Sequence, residues 1–85
     1  MNQQTSSVSG PFLQFLGKAE DAAEGGRDAW VAQSTGERLA VALALNRPDW
    51  LASMGYTIAE AIDRVDDWIP LVRPVERSLR DRGLI

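Results

Sequence analysis

The run Leu39-Ala40-Val41-Ala42-Leu43-Ala44-Leu45 constrains this chain more than any other stretch. Its seven apolar residues are too few to cross a bilayer as a helix, which takes about 20. Helix signals bracket the run. Upstream, Ser34-Thr35-Gly36-Glu37 has the form of a capping box, with Ser34 as N-cap and Glu37 reaching back. Downstream, Arg47-Pro48 ends the helix, because the residue before a proline is pushed out of the α region. The pattern predicts a helix over 35–46 that is apolar on every side. Such a helix must be covered on every side, so the rest of the chain has to surround it. Ala40 and Ala44, one turn apart, allow a neighbouring helix to come close.

The covering elements also read as helices. No stretch alternates with period two for long enough to make a strand, whereas apolar residues recur at spacings of three and four. A first helix is expected over 11–24, with Pro11 in its first turn, Ser9 as a plausible cap and Gly25-Gly26 as a flexible joint at its end. A short segment over 27–33 carries Trp30. Asp49 to Met54 forms a short helix over 48–54, begun by Pro48 and ended by Gly55. Thr57-Ile58-Ala59-Glu60 is a second capping box, opening a helix over 57–66 with Ile58, Ala61, Ile62 and Val65 on its apolar face. The last helix, 68–82, is expected to take an Asp N-cap from Asp66-Asp67. Pro74 should kink it or mark its start, and Gly83 with Leu84 should close it as a Schellman motif. The fold class predicted is therefore all-α, a compact bundle of four to five short helices within a single domain over 10–85. The polar stretch 1–9 has neither a positive charge nor an apolar segment. It reads as a disordered tail rather than a signal peptide.

At 85 residues such a domain buries roughly 60–65% of the surface its unfolded chain exposes. Large aromatics then matter most, and Trp30, Trp50 and Trp68 are the expected core anchors. Two junctions resemble each other, Asp49-Trp50-Leu51 and Asp67-Trp68-Ile69. Both look like helix starts whose tryptophan folds inward.

The absence of Cys and His excludes disulfide scaffolds, Cys- or His-liganded zinc and Cys- or His-based catalysis. Phosphate-binding glycine loops and the G-x-S-x-G elbow are also missing. Four constellations are left. Glu60, Asp63 and Asp67 are spaced to share a helix face and hold a hard cation, against the plainer reading of a solvated face. Trp50 to Ile62 has the outline of a helix-turn-helix. From Asn46 to Asp67, however, two Arg face five acidic residues, which repels nucleic acid. Arg73, Arg77 and Arg80 form a basic C-terminal cluster for a possible electrostatic contact, partly compensated by Glu76 and Asp81. Phe12, Phe15, Leu16 and Ala19 make an anchor stripe on the first helix. They either fill the domain's own core or dock into a partner or a second copy.

By elimination, the sequence reads as a small non-catalytic protein that acts by protein–protein interaction as an adaptor, inhibitor or regulatory module. No cofactor or metal is expected. The partner is another protein or a second copy; nucleic acid is disfavoured and no membrane is involved. The alternatives are a helix-turn-helix-like nucleic-acid-binding regulator and a carboxylate–metal enzyme. A cytoplasmic, bacterial setting fits the lack of Cys and the use of Arg for eight of nine basic residues.

Overall fold

The computed structural model describes the backbone from Asn2 to Ile85 and side chains from Gly10 onward. Five α-helices follow one another: α1 (Asn2–Val31), α2 (Thr35–Ala44), α3 (Pro48–Ser53), α4 (Ile58–Arg64) and α5 (Ile69–Asp81). A 3₁₀ turn, Asp66–Trp68, joins α4 to α5. Among the described residues there is no strand, and no helix is long and apolar enough to cross a membrane. The all-α bundle inferred from the helical periodicity is the observed architecture. Ser9, expected as the cap of the first helix, lies within α1 and does not cap it, because the helical backbone already runs from Asn2; the expected tail over 1–9 includes Met1 and side chains outside the described ones.

α2 is the hub. It packs against α1, α3, α4 and α5. Leu39, Ala40, Val41, Ala42 and Ala44 are buried along it, and only Leu43 within the apolar run keeps partial exposure. Its start is the anticipated capping box: Ser34 Oγ accepts from the Glu37 N–H, and the Glu37 carboxylate accepts from the Ser34 N–H. Thr57 and Glu60 repeat the arrangement at the start of α4. These boxes satisfy donors that a helix leaves open at its first turn.

Three helices end in Schellman geometry. After α2, Asn46 has φ 57°, and the Arg47 N–H reaches the Ala42 carbonyl at 2.8 Å. Gly55 after α3 and Gly83 after α5 take the same role, with Tyr56 N–H bonding Leu51 O at 3.0 Å and Leu84 N–H bonding Leu79 O at 2.9 Å. The two glycine stops were legible in the sequence, and the asparagine one was not.

α1 differs from expectation in extent. It begins before Pro11, which lies inside it, and it continues to Val31 through a bend. The bend is at Gly26, whose φ of 70° and ψ of −157° are non-helical. The anticipated joint at Gly25-Gly26 therefore exists, as a single-residue break between two helical stretches. It turns Trp30 back onto α2, where the indole N–H donates to the Arg38 carbonyl at 2.8 Å. Gln33, just beyond, donates to the Lys18 carbonyl at 2.8 Å and holds the bend closed.

Trp30 and Trp50 are buried and stacked, with ring centroids 4.6 Å apart. Trp68, the third expected anchor, packs against the core without being fully buried. It meets Phe15 edge-on at 5.2 Å. The predicted Asp cap of the last helix is corrected. The 3₁₀ turn takes up Asp66 and Asp67, Trp68 itself occupies the N-cap position of α5, and no side chain caps that end. Pro70 lies in the first turn, where its missing N–H costs nothing. Pro74 lies within α5 and does not mark its start. The Arg82–Glu20 ion pair ties the end of α5 to α1.

Candidate functional site

The anchor stripe of α1 faces its own domain. Phe15, Leu16 and Ala19 are buried in the core and Phe12 is half-buried against it. α1 packs on α2 and α5 through this face. The stripe is thus engaged within the chain, as expected of a small domain with few large apolar side chains.

The carboxylates Glu60, Asp63 and Asp67 are not brought together. α4 stops at Arg64, and Val65, at φ −109° and ψ 34°, breaks the helical phase before Asp67. Glu60 is committed to the capping box. Among the described residues no group of three acidic side chains is arranged to hold a metal ion.

The C-terminal arginines are partly neutralised where they stand. Glu76 accepts Arg73 at 3.0 Å and Arg80 at 2.9 Å, while Arg77 makes no ion pair among the described residues. The helix-turn-helix outline survives as a corner between α3 and α4. Its second helix carries Glu60, Asp63 and Arg64 on exposed positions, an acidic surface.

The surface that sequence reasoning missed lies on α4. Ala61 and Val65 turn inward as anticipated, but Ile58 is 52% exposed and Ile62 is 42% exposed. The two are one turn apart and share a face. Ile58 also lines a small groove with Leu43, Pro48 and Leu51, together with Asn46 and Arg47. The reason for the exposure is the shortness of α4. Seven residues leave room for only a narrow inward stripe, and the small Ala61 at its centre brings α4 close to α2. The periodicity put all four apolar residues on one arc. It could not show that the contact covers only half of that arc.

A second feature surrounds the tryptophans. Arg47 lies over the Trp50 ring, its guanidinium carbon 4.4 Å from the centroid, and forms a two-point bond to Asp49 at 3.0 and 2.8 Å. This bond, more than Coulomb attraction alone, holds the Asp49 carboxyl below its usual range and the Arg47 guanidinium above it. Arg27 and Arg38 flank Trp30 at 5.7 and 5.8 Å. Each is within the distance at which a ring face attracts a cation.

No protein-family model matches this chain, and no curated protein or solved structure matches it either.

Proposed function

We propose that this protein is a small non-catalytic binding module whose partner is another protein, working in the cytoplasm of a bacterial cell. The observation that supports this reading is the outward pair Ile58 and Ile62 beside the Leu43–Pro48–Leu51 groove. A domain of 85 residues has few large aliphatic side chains to cover its core. Two β-branched ones placed side by side on the surface form a contiguous apolar face of the kind that marks contact sites. A partner helix or strand would bury that face.

The test is affinity capture from cell extract with the wild-type chain and with Ile58→Asp/Ile62→Asp, each with and without nuclease. A protein retained at stoichiometric level by the wild type after nuclease, and lost with the double variant, supports the reading. Retention that is equal for both proteins refutes the role of this face. Capture abolished by nuclease refutes a protein partner and points instead to nucleic acid held by Arg73, Arg77 and Arg80.

A further inference from the structure

The tryptophans of this protein differ in one respect. Trp30 and Trp50 have arginines of their own chain over their rings. Trp68 has none among the described residues. The contrast is sharpest between the two Asp-Trp junctions. At the first, Arg47 stands two residues before Trp50's neighbour Asp49, stacks on the indole and bonds the carboxylate at two points. At the second, the place corresponding to Arg47 is taken by Val65, which is buried. Asp67 therefore makes no ion pair among the described residues, and Trp68 keeps part of its surface free.

The free surface is concave. A cleft of about 230 Å³ opens between α1 and the 3₁₀ corner, lined by Pro11, Gln14, Asp67, Trp68 and Leu71. Its walls are an indole, two apolar side chains, an amide and a carboxylate. Among the described residues its lining contains no basic side chain. A second cleft shares Asp67 and Trp68 and adds Asp66 and Arg64, so it already holds a guanidinium of this chain, which the lining of the first cleft lacks. Phe15 steadies the Trp68 ring from below through their edge-on contact.

We propose that Asp67 and Trp68, with Pro11, Gln14 and Leu71, form a subsite for an arginine side chain of a partner protein. The intramolecular Arg47–Asp49–Trp50 unit is the template: guanidinium on the ring face, fork on the carboxylate. Arginine suits the cleft better than lysine, because its planar guanidinium both stacks on an aromatic face and bonds a carboxylate at two points. Its aliphatic stem lies along Pro11 and Leu71. The inference rests on the binding-module reading only for the source of the arginine.

The experiment uses the full chain, ¹⁵N-labelled, and follows the tryptophan indole N–H signals by NMR. Trp68→Phe identifies the Trp68 signal. The probe is the peptide acetyl-Gly-Arg-Gly-amide, and its citrulline counterpart is the uncharged control of the same shape. The Trp68 signal should move saturably with the arginine peptide, while the buried Trp30 and Trp50 signals stay in place. Added salt should weaken the binding. Asp67→Asn should weaken it on the order of fivefold, the effect of losing one solvent-exposed charge pair. An immobile Trp68 signal, an equal response to citrulline, or unchanged affinity in Asp67→Asn overturns the proposal. Each of those results leaves the Ile58–Ile62 face untouched, and loss of that face in the capture experiment leaves the peptide titration unaffected.

Discussion

The same substitution, Gly to Ala, should have opposite effects at two positions of α1. Gly17 lies in regular helix, and a Cβ added there meets nothing within 4 Å. Alanine at an open helical site gains about 0.5–1 kcal/mol over glycine, through the smaller entropy lost on folding. Gly26 also has open space for a Cβ, so crowding plays no part there. Its φ of 70° with ψ of −157° nevertheless lies in a region that L-residues avoid, and holding alanine in it costs about 1–3 kcal/mol. Reduced freedom of the unfolded chain offsets about 0.4–1 kcal/mol of that. The midpoints of the two ranges leave a net loss of about 1.3 kcal/mol. For a domain of this size each kcal/mol moves Tm by roughly 4–8 °C. Thermal melts followed by circular dichroism should therefore show Gly17→Ala a few degrees above wild type and Gly26→Ala roughly 5–10 °C below it. Urea titrations should rank the three proteins in the same order. A Gly26→Ala protein as stable as wild type would refute the reasoning, because it would mean that the bend is not set by the backbone conformation of that residue.

Two further outcomes follow from the packing and the ion pairs. Phe15→Ala empties a fully buried ring site and should cost about 3–5 kcal/mol, a large part of the total stability of a small domain. Urea denaturation measures it, and a loss below about 1 kcal/mol would remove Phe15 from the core. The Asp49 carboxyl, held below its ordinary range by Arg47, should titrate at lower pH in wild type than in Arg47→Gln, read by carboxyl-carbon NMR. Because the folded value is depressed, the pair's contribution is present above the ordinary carboxylate range and is lost as pH falls through the folded value. An unshifted titration in wild type would show the two-point bond is not formed in solution.

What can be read from the chain alone is the set of local decisions. Ser34, Glu37, Thr57, Glu60, Gly55 and Gly83 start and stop helices through hydrogen bonds to backbone groups a few residues away. That chemistry needs no distant partner. The central place of α2 is legible for a related reason: a helix apolar on every side has no stable position except the middle. The weak N-terminal signals, Asp66 as a cap and Pro74 as the start of the last helix, failed because a 3₁₀ turn and the packing of α5 on α1 and α2 outweighed them.

Tertiary structure decided everything that depends on which part of an apolar arc is covered. Phe15 and Ile58 are both large, apolar and at helical spacing in the sequence. One is fully buried and the other about half-exposed, because α1 lies along both α2 and α5 whereas seven-residue α4 fully buries only Ala61 of its own residues. The two Asp-Trp junctions likewise read alike. They differ because Arg47 is free to fold over its tryptophan, while Val65, at the corresponding place, is drawn into the core. Local backbone chemistry is written residue by residue. Burial is a competition among all the elements for a limited amount of covering surface, and its result exists only once they are assembled.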